Sequence, residues 1–302
     1  MRLDFSRMKR RAVGIHFVKG DSLALAVAHP LLLSQSAMSN AKDRFLYLKR
    51  LLKGRLSRER FEALRSSFAE PLSFFFRRDL NMLATLSGTD KWGVHWYTQH
   101  YARHFQQLRN KPITLLEIGI GGYDKPEVGG QSLRMWRRYF RRGKIVGLDY
   151  YDKSPHAEKR IRIYQGDQSD EKLLQRIVAE VGRPDVIIDD GSHLNHHVIK
   201  SFEVLFPLLA DDGIYVVEDI QTAYWPDCGG SSDNFLTAPS SMCFFKGHVD
   251  GLNHAEFKRP GYTPSYYDQH IVAMYFYHNM VFVQKGLNNE DSTHVRQNSA
   301  FG

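Results

Sequence analysis

The chain has 302 residues, 42% of them hydrophobic and 13% aromatic, with only Cys228 and Cys243 as cysteines. That is apolar material for one large α/β domain plus an extension. It excludes a disulfide-stapled scaffold and a thiolate zinc centre, and suits a reduced, cytoplasmic setting. The net charge of +8 is uneven: residues 1–80 hold 17 Lys and Arg against 7 Asp and Glu, and the rest of the chain 24 against 26.

Residues 1–80 read as a basic, mostly helical extension. Across residues 40–66 apolar positions recur at helical spacing, with Gly54 as a break. The basic surplus suits an anionic partner such as nucleic acid, or simply a solvated helical face, which is the simpler account. No aromatic and basic interleaving of the kind that stacks nucleotides is present there. The apolar run LALAVAHPLLL, residues 23–33, is interrupted by His29 and Pro30 and is too short to span a bilayer. No A-x-A-like cleavage site follows it cleanly, so a secretory signal is not read.

Residues 88–105, GTDKWGVHWYTQHYARHF, predict a loop leading into a helix that ends before Lys111-Pro112. From residue 113 the texture changes. ITLLEIGI (113–120), KIVGLD (144–149), RIRIYQGD (160–167), PDVIIDD (184–190) and GIYVVED (213–219) are short β-branched runs, most of them continuous as in buried parallel strands. Helical stretches alternate with them: SLRMWRRYFRR, DEKLLQRIVAEVG and NHHVIKSFEVLFPLLA. The alternation predicts a doubly wound, mostly parallel sheet. IVAMYFYHNMVFVQKG predicts a C-terminal antiparallel hairpin turning at His278-Asn279, followed by a polar, frayed tail. The domain boundaries expected are 1–80, 81–287 and 288–302.

Ligands of such sheets bind beyond the carboxyl ends of the strands. Acids stand there in succession: Glu117, Asp149, Asp167, Asp189 with Asp190, and Glu218 with Asp219. After the first strand, Gly119, Gly121 and Gly122 allow close backbone approach at a tight turn. The dinucleotide pattern GxGxxG fails, because position 124 is Asp124. Glu117 would repel a phosphate but can accept from an amino group. Asp149 suits a ribose diol, and Asp167 and Gln168 suit the adenine edge. An adenosine with a cationic end and no phosphates is S-adenosylmethionine.

Neighbouring parallel strands lie ~5 Å apart, so Asp190, Glu218 and Asp219 can meet around one ion. Three hard oxygen donors without a cysteine favour magnesium or manganese. His193, three residues past Asp190, is placed as a general base for a hydroxyl. His196 and His197 read as packing or surface residues, and Asp189 as a group that orients its neighbours. Trp92, Trp96, Tyr97 and Trp225 are candidates for the wall of an acceptor pocket. Residues 226–241 read as a lid.

GTDKWG, EIGIGGY, GGQSLRMWRRYFRRG, QGDQSD, IIDDGSH and VVEDIQTAYWP together resemble the metal-dependent sugar O-methyltransferases of macrolide biosynthesis, of the mycinamicin VI and demethylmacrocin type. The resemblance runs from about Gly88 to Lys285. It implies a class I methyltransferase fold, S-adenosylmethionine as donor, Mg²⁺ on Asp190, Glu218 and Asp219, and His193 as base. The N-terminal 80 residues do not resemble the auxiliary domain of those enzymes. The expected activity is methylation of one hydroxyl of a vicinal diol on a sugar or glycosylated natural product, as in antibiotic biosynthesis. The expected partner is that small-molecule acceptor rather than a membrane or nucleic acid, and a homo-oligomer is compatible with the sequence. The rivals are a cephalosporin-hydroxylase-like oxygenase, a methyltransferase that binds or modifies RNA through the basic N-terminus, and a non-catalytic S-adenosylmethionine-binding protein.

Overall fold

Alternating side chains explain the sheet. In a computed structural model that describes residues 45, 47, 49, 51–296, 299 and 300, five parallel strands follow the apolar runs. They are β1 (Thr114–Ile118), β2 (Lys144–Asp149), β3 (Ile161–Gln165), β4 (Val186–Asp189) and β5 (Ile214–Glu218). The hairpin strands β6 (Ile271–Tyr277) and β7 (Met280–Lys285) complete a seven-stranded sheet in the order β3-β2-β1-β4-β5-β7-β6, with β7 antiparallel to both neighbours. The expected turn at His278-Asn279 separates them, and Asn279 takes a left-handed conformation (φ 60°).

Both faces of the sheet are covered, which is why the strands read as unbroken apolar runs. Leu116, Ile118, Val146, Leu148, Ile187, Tyr215 and Val217 point to one face. That face packs on α5 (Glu171–Val181), α6 (Asn195–Leu208) and α7 (Ser241–Gly247) through Leu174, Ile177, Phe202, Leu205 and Phe245. Leu115, Ile145, Val186, Ile188, Ile214 and Val216 point to the other face. They meet α2 (Leu80–Ser87), α3 (Thr98–Phe105) and α4 (Gln131–Tyr139), which contribute Leu83, Tyr101, Phe105 and Trp136. Each large apolar side chain buried this way contributes about 1.5–3 kcal/mol. The helix α1 (Arg58–Phe75) precedes them, and the short α8 (Tyr266–His270) leads into β6.

Two compact units divide the chain at Leu64/Arg65, and the sheet lies wholly in the second. Residues 1–44, which include most of the basic extension, lie outside the described residues. Among the described residues no helix is long and apolar enough to cross a membrane. The tail departs from expectation at its start. Asn288 donates its side-chain amide to Asp268 O (2.8 Å) and its backbone N–H to Gln269 O (2.9 Å), so the chain is tied down for three residues beyond Lys285.

Candidate functional site

A cavity of about 700 Å³ opens at the carboxyl ends of the parallel strands. At one end its wall is Gly119, Gly121, Gly122, Asp149, Tyr150, Tyr151 and Asp167; at the other it is Asp190, Ser192, His193, His197, Asp219 and His95. This places Gly119, Gly121, Gly122, Asp149, Asp167, Gln168, Asp190, His193 and Asp219 on a common cavity wall. Glu117 and Glu218 are not part of it.

Backbone amides hold the carboxylates of the first end. Asp149 accepts from Ile120 N through Oδ2 (2.8 Å) and from Tyr151 N through Oδ1 (2.9 Å). Its orientation is therefore set before any ligand arrives. Asp167 Oδ1 accepts from both the backbone N–H and the hydroxyl of Ser169 (2.7 Å each). The Ser169 backbone bond, opposed by partial burial, holds the Asp167 carboxyl below its ordinary range. The glycines differ in purpose. A Cβ on Gly119 would stand 1.9 Å from Asp190 O, so this position lets the β4–α6 loop pass. A Cβ on Gly121 would meet nothing within 4 Å, and its φ of 78° is what demands glycine there.

Gln168 lines the cavity and is also bonded within the fold. Its amide nitrogen donates to both oxygens of Asp189 (3.1 and 3.3 Å) and to Ser201 Oγ (3.0 Å), while its oxygen accepts from Ser192 N (2.6 Å). Both ends of the amide are engaged within the fold, so the side chain helps fix the β4–α6 loop beside the cavity. Asp189 is buried beneath it, also within 3.4 Å of Tyr215 Oη, and burial pushes its carboxyl up to about 6.

Strand parity sorts the remaining acids. Glu117 and Glu218 share a strand face with Leu115 and Val216, so they point to the face beneath α3; Asp189 shares the opposite face with Ile187. β4 and β5 pair Asp189 with Val217, which sets Asp190 beside Glu218. Into this inner group reaches Lys91, from the loop before α3. Its ammonium lies 2.6 Å from Glu218 Oε1, 2.8 Å from Asp190 Oδ2 and 3.4 Å from Glu117 Oε1. Tyr101 Oη donates to the same Glu218 oxygen. Lys91 is 1% exposed. Burial works against its charge, but the carboxylates more than offset this and hold its pKa above the ordinary lysine value. Burial raises Glu117 to about 7 against the pull of Lys91, and burial together with Asp190 raises Glu218 well up.

An outer group faces the cavity. Single ligand atoms of Asp190, His193 and Asp219 lie within 4.8 Å of one another, as do those of Glu117, Asp190 and Glu218. The expected trio of Asp190, Glu218 and Asp219 is thus divided. Asp190 belongs to both groups, Glu218 to the inner and Asp219 to the outer, because consecutive residues at a strand end point opposite ways. Asp219 Oδ1 accepts from Tyr97 Oη and lies 3.8 Å from His95 Nδ1, while its Oδ2 lies 3.9 Å from His193 Nε2. His193 and Asp219 both adopt left-handed backbone, φ 58° and 52°. His and Asp tolerate this conformation better than most residues, at a cost of order ~1 kcal/mol each.

Several residues escaped the sequence reading. Lys91, Tyr101 and His95 lie in or beside GTDKWG, but their partners stand as many as 127 positions away. None of Trp92, Trp96, Tyr97 and Trp225 lines the cavity, and Tyr97 serves Asp219 instead. His197, read as packing or surface, stands on the cavity wall and bonds Ser192 Oγ at 3.0 Å. Asn195, 1% exposed at the start of α6, ties the two ends of the 226–241 loop together. Its amide nitrogen donates to Thr222 O (3.1 Å) and Cys228 O (2.8 Å), and its oxygen accepts from Ser241 N (2.7 Å) and Ser241 Oγ (2.8 Å).

A sheet in the order 3-2-1-4-5-7-6, with a glycine turn after β1 and an acid-lined cavity at the strand ends, is the class I methyltransferase fold. No protein-family profile matches the chain. It is 49% identical over 214 residues to demethylmacrocin O-methyltransferase of Streptomyces fradiae and 48% identical over 214 residues to mycinamicin VI 2''-O-methyltransferase of Micromonospora griseorubida. Each alignment covers 70% of this chain and 54% of the relative, so the chain spans about half the length of the curated relatives it matches. Among solved structures, MycE methyltransferase from the mycinamycin biosynthetic pathway, in complex with Mg, SAH and mycinamycin VI, superposes with a TM-score of 0.68 at 48% identity. That match covers 70% of this chain and 55% of the other. Over the aligned region the chain is homologous to the sugar O-methyltransferases of macrolide biosynthesis.

Proposed function

We propose that the protein is an S-adenosylmethionine- and Mg²⁺-dependent O-methyltransferase that acts on one hydroxyl of a vicinal diol, on a sugar or glycosylated natural product. One observation carries the reading: a single cavity has backbone-held acids and a glycine turn at one end, and two carboxylates with an imidazole at the other. The relatives' printed names agree with it, as does the ligand set of the MycE complex.

Asp149 would take the ribose hydroxyls of the donor, since each of its oxygens keeps a lone pair beyond the backbone bond. Asp167 would accept from the adenine amino group, and Gly119, Gly121 and Gly122 would let the donor approach the backbone. The donor set fits a divalent ion: Glu117, Asp190 and Glu218 crowd around one ammonium, and Asp219 adds a further carboxylate beside Asp190 and His193, so acids outnumber the cation there. Asp190 and Asp219 would hold the ion, with Glu218 behind them. The ion supplies Lewis acidity that makes a bound hydroxyl easier to deprotonate. His193 would receive the acceptor's proton on its imidazole, as the acceptor oxygen forms a bond to the methyl carbon and the carbon–sulfur bond of the donor breaks. Alignment of the two reactants contributes more than the base: ~7–11 kcal/mol against ~10²–10⁴-fold.

Calorimetry with S-adenosylmethionine, followed by a screen of diol-bearing sugars with and without Mg²⁺, tests the reading. Donor binding and Mg²⁺-dependent methyl transfer support it; absence of donor binding overturns it. The oxygenase alternative has one feature in its favour, two histidines flanking Asp219. Oxygen uptake without methyl transfer would select it.

A further inference from the structure

Lys91 has no task in the chemistry described so far, yet it is among the most deeply buried charges of the sheet domain. A lysine is rarely taken out of water unless its charge is paired. Here the pairing is to two acids of the ion site. The ammonium lies between Asp190 Oδ2 and Glu218 Oε1, with Tyr101 on the same Glu218 oxygen and Glu117 closing the group from β1. Asp190 meanwhile lines the cavity and shares the outer group with His193 and Asp219. One carboxylate is therefore gripped from behind by a tethered cation and offered from its other side to the cavity.

We propose that Lys91 is a positioning residue of the divalent-ion site, holding with Tyr101 the inner oxygens of Asp190 and Glu218 so that these acids are set before an ion arrives. Two physical effects follow. The carboxylates cannot turn toward solvent or toward each other, which lowers the ordering cost of binding. The ammonium also fills the inner group of acids, so the ion is directed to the outer one, beside His193. Tyr97 does the same for Asp219 from the same segment, donating to Oδ1. The segment 88–105 therefore acts as a clamp on the acids of β4 and β5. This inference rests on the proposed ion site.

The test uses Mn²⁺ as probe, titrated by electron paramagnetic resonance and calorimetry, with thermal unfolding measured alongside. Lys91→Met is expected to weaken Mn²⁺ binding tenfold or more while leaving S-adenosylmethionine affinity within about threefold, since Lys91 is not on the cavity wall. Lys91→Met alone leaves buried acids unpaired and can fail to fold. The double variant Lys91→Met with Glu117→Gln removes one charge of each sign and is expected to regain thermal stability without regaining Mn²⁺ affinity. Tyr101→Phe, which keeps the ring packed, is expected to weaken Mn²⁺ binding several-fold. Wild-type Mn²⁺ affinity in the double variant would reduce Lys91 to a charge balancer and overturn the proposal. Tighter Mn²⁺ binding in Lys91→Met would show competition instead of support, and unchanged binding in Tyr101→Phe would remove the clamp. A wild-type protein that binds no Mn²⁺ would defeat the ion site itself, a distinguishable failure.

Discussion

The two ends of the cavity hold their carboxylates by different means. At the glycine-turn end, Asp149 and Asp167 are fixed by amides two residues along the chain or just past β1. At the β4–β5 end, Asp190, Glu218 and Asp219 are fixed by Lys91, Tyr101 and Tyr97, side chains from a segment about a hundred residues earlier. Neutral backbone amides orient these two carboxylates and leave them as acceptors, which suit a ligand with hydroxyl and amino groups. The other end keeps an excess of negative charge, which a cation can relieve. Local amides thus orient the end assigned to the donor, and distant side chains orient the end assigned to the chemistry.

If the ends are as separate as their anchoring, substitutions should divide cleanly. The largest effect is expected from Asp190→Ala, which should lower methyl-transfer turnover by ~10³-fold or more, because electrostatic help at the reacting oxygen amounts to several kcal/mol. Calorimetry should find S-adenosylmethionine affinity within about threefold of wild type. Equal losses of turnover and donor affinity would merge the two ends. The converse variant, Asp149→Ala, should weaken donor binding ~10–100-fold, the worth of a charged hydrogen-bonding group at ~1.5–3 kcal/mol. Mn²⁺ affinity should not change.

A smaller effect sharpens the comparison from outside the acids. Asn195→Ala leaves the buried Ser241 N–H and the part-buried Cys228 carbonyl without their Asn195 partner, and should cost about 2 kcal/mol of stability. Limited proteolysis should then cut within residues 226–240 faster than in wild type, with donor affinity retained. The smallest effect serves as a control at a residue that is not on the cavity wall. His104, stacked on Phe282 and bonded to Tyr277 Oη, is pushed down to about 4 by burial and, less, by Arg103. The folded state therefore binds fewer protons than the unfolded state between pH 6.5 and about 4, so stability should fall as pH drops through that window. His104 is partly exposed, and solvent screening reduces the effect to ~1 kcal/mol. Denaturant titrations of wild type and His104→Phe at pH 7 and pH 4.5 should differ by that amount, and equal pH sensitivity would refute the assignment.

Much of the fold was legible because buried parallel strands carry an unmistakable apolar run and end in turns. All five runs from residue 113 became strands, trimmed by one or two residues at some ends, and the hairpin turned where His278-Asn279 predicted. The site was legible only in part. Acids at strand ends are visible in the sequence, but the face that each one meets is not. Glu117 and Glu218 went inward to Lys91, whereas Asp190 and Asp219 reached the cavity. Gln168 had the chemistry to meet an adenine, yet its amide is engaged by Asp189, Ser201 and Ser192. Lys91 stood in plain view in GTDKWG, with no local signal that it would be buried.

What the sequence alone determined is the order of elements, the glycine turn after β1 and the row of acids at the carboxyl ends, because periodicity and turn chemistry act over a few residues. Only the tertiary structure decided which acids meet the cavity and which are neutralised inside. That choice depends on the face to which each strand residue alternates, and on where the segment at 88–105 packs across the sheet to deliver one ammonium and two phenols.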